Sequence, residues 1–133
     1  MRQARRFAVE WLAVVALTRC ALMGCTGEAV ERPPVTPAAT VIGAAQSCVP
    51  IRQVSETRIR DDWTIDFVIG DRVWRNALPS RCSGLKVNHA ISYETSLSQL
   101  CNTDIVYVLE NVGGLRRGVG CGLGEFVPVR VVE

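Results

Sequence analysis

The fold is decided by two alternating runs joined by a two-residue turn: Trp63-Thr64-Ile65-Asp66-Phe67-Val68-Ile69, then Gly70-Asp71, then Arg72-Val73-Trp74-Arg75-Asn76-Ala77-Leu78. Apolar and polar side chains alternate along both runs, which is the period of a β-strand with one face in a core. Gly70 accepts a positive φ and Asp71 tolerates one, so the pair predicts a tight hairpin turn. The sequence therefore predicts an antiparallel β-hairpin at the centre of the chain.

The turn also fixes the register of this hairpin, because it makes Ile69 the partner of Arg72. The pairs that follow are Phe67 with Trp74, Asp66 with Arg75, and Trp63 with Leu78. An aromatic pair then lies on one face and an opposite-charge pair on the other, as in a half-buried sheet.

Shorter β-rich runs flank the hairpin. The candidate strands are residues 48–55, 57–60, 88–93, 105–110, 119–121 and 126–132. Leu97 and Leu100 have a helical spacing, so residues 95–101 predict one short helix. Five to seven strands in a domain of this length predict an all-β fold, a small antiparallel barrel or sandwich, because an open sheet would leave its edges exposed.

Four of the six cysteines lie in the β region, at Cys48, Cys82, Cys101 and Cys121. An even number in an exported domain predicts two disulfides, and each would contribute about 2 to 4 kcal/mol of stability. A zinc site would usually show Cys-x-x-Cys pairs, and no two of the four lie that close. Four cysteines allow three pairings. We expect Cys82 with Cys101 and Cys48 with Cys121, because the first and last strands of a closed sheet are often neighbours.

The N-terminal residues 1–24 have the layout of a secretory signal, with Arg2, Arg5 and Arg6 before the mostly apolar residues 7–17. Leu22-Met23-Gly24-Cys25 resembles the lipobox of bacterial lipoproteins, in which the cysteine is lipidated and becomes the mature N-terminus. The resemblance implies a lipid anchor at Cys25. Thr26 follows it where an Asp would imply inner-membrane retention, so the resemblance implies the periplasmic face of the outer membrane.

Other interpretations of this leader are weaker. Glu10 and Arg19 leave the apolar run short of the roughly 20 residues that a single-pass anchor needs. No Ala-x-Ala site for an ordinary signal peptidase lies near residue 20. A cytoplasmic amphipathic helix would place six cysteines in a reducing compartment.

Residues 25–47 predict a disordered tether, because Pro33, Pro34 and Pro37 forbid a continuous helix and no aromatic residue is present. Such a tether would reach roughly 25 Å. The disulfide-bonded β domain is then expected over residues 48–133. Removal of the leader takes four of the 15 basic residues and one of the 13 acidic residues, which leaves a net charge near −1. We therefore expect no nucleic-acid partner.

Candidate catalytic residues are few. His89 is the sole histidine and could pair with Cys82 or Cys101 in a thiol enzyme, but a disulfide would consume the thiol. No Gly-x-Ser-x-Gly or His-Glu-x-x-His motif is present. We expect no enzyme activity and no cofactor.

Two further motifs have structural explanations. The glycine-rich residues 118–124 do not fit a phosphate loop and predict a bulge beside a disulfide, and Arg116-Arg117 predicts a solvated turn more than an anion site. The aspartates lack calcium-loop spacing and fit turns, an ion pair with Arg75 and, at Asp104, the approach to a strand. The residues considered were Asp61, Asp62, Asp66, Asp71 and Asp104.

The expected function is a non-catalytic binding or structural module of the cell envelope, with an envelope protein as a candidate partner. A periplasmic ligand carrier is the first alternative, with its aromatic residues lining a barrel mouth. The aromatic residues concerned are Trp63, Phe67, Trp74 and Tyr107. A small envelope hydrolase or thiol enzyme is the second alternative.

Four segments together resemble an uncharacterised family of small proteobacterial lipoproteins: Ile59-Arg60-Asp61-Asp62-Trp63-Thr64-Ile65, Asn76-Ala77-Leu78-Pro79-Ser80-Arg81-Cys82, Leu100-Cys101-Asn102-Thr103-Asp104 and Cys121-Gly122-Leu123-Gly124-Glu125-Phe126. The resemblance covers residues 48–129 and rests mainly on the sequence around each cysteine. It implies an envelope location and paired cysteines, and it assigns no catalytic residue.

Overall fold

The computed structural model describes residues 31–132, and from Arg32 onward they form one compact unit. This part of the chain contains ten strands, one short helix and a 3-10 turn at Ile51–Gln53. The strands are β1 (Ala39–Val41), β2 (Cys48–Pro50), β3 (Val54–Asp61), β4 (Thr64–Ile69), β5 (Arg72–Ala77), β6 (Ile91–Tyr93), β7 (Gln99–Cys101), β8 (Ile105–Asn111), β9 (Leu115–Gly122) and β10 (Phe126–Val131). The helix α1 spans Leu85–Asn88.

All strand pairs are antiparallel and form three sheets, so the predicted all-β antiparallel fold is confirmed. The largest sheet has the order β1-β10-β5-β4-β3, a second has β6-β8-β9, and β2 pairs with β7. Within residues 31–132 the sheets pack as a sandwich and do not close into a barrel. The strand number exceeds the predicted five to seven because four strands have three residues each.

The central hairpin has the predicted register, with Ile69 opposite Arg72 and Phe67 opposite Trp74. Its burial differs from the prediction of one exposed face, since residues 64–67 of β4 are all buried. Asp66 points to the opposite side from Phe67 and is fully buried as well. The chain before β1 helps to cover that second side, because the Arg75 guanidinium donates to the backbone carbonyl of Pro37 at 3.3 Å.

The core lies where the three sheets and the helix meet. The five-stranded sheet contributes Phe67 and Phe126, whose rings meet edge to face at 5.4 Å between centroids. The other sheets contribute small aliphatic side chains, and α1 contributes Leu85. The remaining buried members are Val49, Ile65, Trp74, Leu78, Cys82, Leu100, Val106, Val108, Cys121 and Leu123.

The predicted helix over residues 95–101 is wrong. Residues 99–101 form β7, which pairs with β2 and buries Leu100, while Leu97 is 67% exposed. The spacing of the two leucines is local information. The strand is stabilised by its pairing with β2, which is distant in sequence, and local spacing cannot predict such a pairing. The helix of the structure is α1, which is preceded by Gly84 at a φ of 84° and followed by His89 at a φ of 51°.

The β domain begins before Cys48, so the predicted boundary of the tether needs correction. Ala39–Val41 forms β1 at the edge of the five-stranded sheet, and Gln46 makes a bridge with Phe126. These residues follow the prolines and pair with β10, which satisfies backbone groups that a tether would leave to solvent. The predicted leader, the lipid anchor Cys25 and the start of the tether lie outside the described residues.

Both predicted disulfides are present, but the expected pairing is wrong. The bonds join Cys48 to Cys101 and Cys82 to Cys121. Cys48 and Cys101 are direct partners in the β2–β7 register. The expectation assumed that the first and last strands are neighbours through their cysteines, whereas the last strand β10 lies between β1 and β5, which contain none.

Candidate binding groove

A groove of about 640 Å³ opens between the 3-10 turn and the loop that connects β6 to β7. Its walls combine apolar surface with hydroxyl groups and one charge of each sign. The lining residues are Ile51, Arg52, Tyr93, Glu94, Thr95, Ser96, Leu97 and Ser98. Small ligands usually bind in concave sites of this size.

The loop wall is held by the Thr95 side chain. Its hydroxyl accepts a hydrogen bond from the Leu97 amide at 3.1 Å and lies 3.1 Å from the Gln99 carbonyl, to which it donates. The Ile51 amide donates to the Ser98 carbonyl at 3.1 Å and joins the loop to the 3-10 turn. The two walls of the groove are therefore connected by this backbone hydrogen bond.

The Cys48–Cys101 disulfide joins the two strands that are continuous in sequence with these walls. Cys48 begins β2, which leads into the 3-10 turn at Ile51, and Cys101 ends β7, which follows the loop after Ser98. The bond therefore fixes the separation of the two chain segments that line the groove. We expect the shape of the groove to depend on the oxidised state of this pair.

The charge of Glu94 in the groove is already compensated. Its carboxylate accepts a short hydrogen bond from the Arg117 guanidinium, which also stacks 4.6 Å from the centre of the Tyr107 ring. The hydrogen bond and the charge of Arg117 lower the pKa of Glu94, and the same contact raises the pKa of Arg117. Arg52 is exposed and makes no hydrogen bond or ion pair with another described residue. The groove thus has one uncompensated positive charge beside apolar surface.

A second groove of about 430 Å³ crosses the five-stranded sheet near the Gly70-Asp71 turn. Val73 and Val129 are partners in the β5–β10 register and line it, together with Arg58 and Asp71. Arg58 is bound to Glu56 at 2.7 Å. Arg72 and Arg130 also line this groove, so its lining has three positive side chains and one negative one.

The predicted chemical residues do not converge in either groove. Cys82 and Cys101 are both in disulfides, and His89 is exposed at the C-terminus of α1. The suggested pairing of His89 with a thiol therefore does not exist in this structure. Among residues 31–132, no group of three or more His, Cys, Asp or Glu side chains is placed to hold a metal ion.

The aspartates have the structural roles that the sequence predicted. Asp66 has one more ion-pair partner than was predicted. Asp66 accepts from Arg75 at 2.7 Å, as predicted, and also from Arg60 at 2.7 Å. Asp62 accepts from the Lys86 amide and from Arg81, both at 2.9 Å. The remaining carboxylates also serve turns: Asp61 accepts from the Trp63 amide and Asp104 from the Cys101 amide, each at 2.7 Å.

The glycine-rich residues 118–124 form the predicted bulge, since the β8–β9 register shifts between Tyr107 and Leu109 beside Cys121. The Glu110 side chain packs against Gly118, and the Tyr107 ring packs against Gly120. Arg116 lies 3.8 Å from Glu110 and is 67% exposed. Arg116 is therefore solvated, as predicted, whereas Arg117 contacts Glu94 and the Tyr107 ring.

The aromatic residues of the carrier alternative do not line a common cavity. Phe67 and Trp74 are buried in the core. Trp63 is half-buried, with the Arg32 guanidinium 4.8 Å from its ring centre, and Tyr107 lies under Arg117. The sequence did not indicate the groove-lining residues, which lie at 51–52, inside a predicted strand, and at 93–98, where a strand and a helix were predicted.

Comparisons with protein families, with curated proteins and with solved structures return no significant match for this chain. Among residues 31–132, no helix has the length and apolar character required to cross a membrane.

Proposed function

We propose that this chain is an exported lipoprotein of the cell envelope whose β domain is a non-catalytic binding module. Signal peptide removal would leave Cys25 as the lipid-bearing N-terminus at the periplasmic face of the outer membrane. The observation that carries the proposal is the pairing of all four cysteines of the β domain in two disulfides. Disulfides persist in oxidising compartments, which agrees with the basic, apolar leader and its Leu-Met-Gly-Cys ending.

The groove beside Tyr93 supports a binding role for the domain. It places an uncompensated Arg52 next to Ile51 and Leu97, so it suits a ligand with a carboxylate and an apolar group. The ligand-carrier alternative then applies to this groove and not to the four aromatic residues first considered for it, which do not line a common cavity. A small molecule that copurifies with protein from the periplasm, seen by native mass spectrometry and lost in Arg52→Ala, would favour the carrier.

The anchor is tested by expression of the full chain in a Gram-negative host and intact mass analysis of the membrane fraction. We expect a chain that begins at Cys25 and carries a diacylglyceryl group. Cys25→Ser should remain unprocessed, while Cys20→Ser, which changes the other leader cysteine, should be processed like the parent. Recovery of the parent chain from the cytosol with residues 1–24 attached would contradict the proposal.

A further inference from the structure

The tip of the β8–β9 hairpin has an unusual surface. Every residue from Asn111 to Arg117 is exposed, and the two large apolar side chains next to the Gly113-Gly114 turn, Val112 and Leu115, are 71% and 70% exposed. Single exposed apolar residues are common, but two on adjacent sides of one turn form a patch. The patch is therefore a candidate contact surface.

The hairpin extends beyond its neighbouring strand. The paired residues of β6 run from Ile91, opposite Val108, to Tyr93, opposite Val106, whereas β8 and β9 remain paired as far as Asn111 and Leu115. The tip consequently projects from the three-stranded sheet. A projecting apolar tip can insert into an apolar environment, such as a bilayer, while the rest of the domain stays outside it.

Side-chain contacts hold the base of the hairpin, whereas the side chains at its tip are exposed. Arg117 is held by Glu94 and by the Tyr107 ring, and Glu110 packs over Gly118. Arg116 has one partner, Glu110, at 3.8 Å, and its side chain is 67% exposed. Arg116 therefore presents a positive charge immediately behind the apolar tip, at the level where head groups would meet an inserted hairpin.

We propose that this hairpin tip inserts into the surface of a bilayer that contains anionic phospholipid, with Val112 and Leu115 among the acyl chains and Arg116 at the phosphate groups. The charge at the tip that can meet anionic head groups is Arg116, which is 67% exposed with Glu110 at 3.8 Å, whereas Arg117 is bound to Glu94. The proposal rests on the proposed envelope location, which keeps the domain near a membrane. An apolar contact plus a basic residue gives weak, reversible binding that a lipid anchor would supplement.

The test uses the full chain with Cys25→Ser, which carries no lipid, and vesicles of phosphatidylcholine with or without phosphatidylglycerol. We expect Val112→Ser with Leu115→Ser to lower the partition coefficient about tenfold on the anionic vesicles. Arg116→Gln should lower it about fivefold on these vesicles at low salt and little on neutral ones. The matched control is Val87→Ser with Val132→Ser, which are 82% and 58% exposed away from the tip and should partition like the parent.

A local readout separates the tip from the leader, which all variants share. Hydrogen exchange at residues 111–116 should slow on anionic vesicles in the parent and not in the tip variant. Equal partition of tip and control variants, or no protection of residues 111–116, would overturn the proposal, as would retention of the tip by an acidic protein and not by vesicles. The mass of the lipid at Cys25 tests the envelope location separately, so the failure of one proposal is distinguishable from the failure of the other.

Discussion

At the scale of single residues, Asp66 is a buried carboxylate that two arginines share. Its side chain is fully buried, while those of its partners Arg60 and Arg75 are 17% and 13% exposed. Loss of this carboxylate would leave two arginines poorly solvated and without their shared partner. Breaking a buried pair from one side costs about 3 to 5 kcal/mol.

We therefore expect Asp66→Asn to lower the free energy of unfolding by about 3 kcal/mol, measured by urea denaturation. The control is Glu56→Gln, because Glu56 and Arg58 form an exposed pair whose loss should leave the urea midpoint nearly unchanged. Equal midpoints for Asp66→Asn and the parent would contradict the role assigned to this carboxylate.

Asp62 gives the domain an acid-sensitive contact. Burial raises the pKa of its carboxyl, but hydrogen bonds from the Lys86 amide and from Arg81 outweigh that effect, and the net pKa is lowered. A lowered folded-state pKa stabilises the fold above the unfolded pKa, and this stability is lost as the pH falls through the folded value. The relevant window is below about pH 4.

The corresponding prediction concerns the acid limb of stability. Asp62→Asn should be less stable than the parent at pH 7, and the difference should shrink as the pH falls below about 4, because the parent carboxylate is then protonated. Thermal unfolding of both proteins between neutral and acidic pH measures this. Parallel curves across the whole range would show that Asp62 does not titrate with folding.

At the scale of elements, Gly124 shows why the chain between β9 and β10 has its sequence. The Gly124 amide donates to the Asn76 side-chain oxygen at 2.8 Å, and the Asn76 amide donates back to the Gly124 carbonyl at 2.7 Å. This double contact brings the glycine so close to β5 that an added Cβ would lie 2.2 Å from the Ala77 carbonyl oxygen.

Gly124→Ala should therefore destabilise the domain by roughly 2 to 3 kcal/mol, since the obstacle is backbone and cannot rotate away. Gly122→Ala is the matched control, because no atom lies within 4 Å of its added Cβ. Circular dichroism during thermal unfolding of both variants measures the difference. Similar melting temperatures for the two would contradict the close approach.

The elements that the sequence predicted well are those whose information is local. Gly70-Asp71 fixes the register of β4 and β5 within a few residues, and the observed pairing of Phe67 with Trp74 follows. The spacing of Leu97 and Leu100 was also local, but it predicted the wrong element because β7 is stabilised by β2, about fifty residues earlier in the chain. The groove was missed for the same reason, as its walls are non-local.

At the scale of the whole molecule, two disulfides join parts of the chain that are far apart in sequence. Cys48–Cys101 joins the two strands that are continuous in sequence with the groove walls, and Cys82–Cys121 joins the loop before α1 to β9. The even number of cysteines predicted that all four pair, but the choice among three pairings depends on the order of the strands, which the sequence does not reveal. In a domain with about 5 kcal/mol of net stability, each bond is a large contribution.

Non-reducing peptide mapping of the purified protein tests the oxidised, two-disulfide β domain most directly. Trypsin separates the four cysteines, because Arg52, Arg81, Lys86, Arg116 and Arg117 lie between or beside them. We predict two linked peptide pairs, one joining Cys48 to Cys101 and one joining Cys82 to Cys121, with no free thiol among the four. Free thiols at these positions, or peptides that link Cys48 to Cys121 and Cys82 to Cys101, would contradict the account.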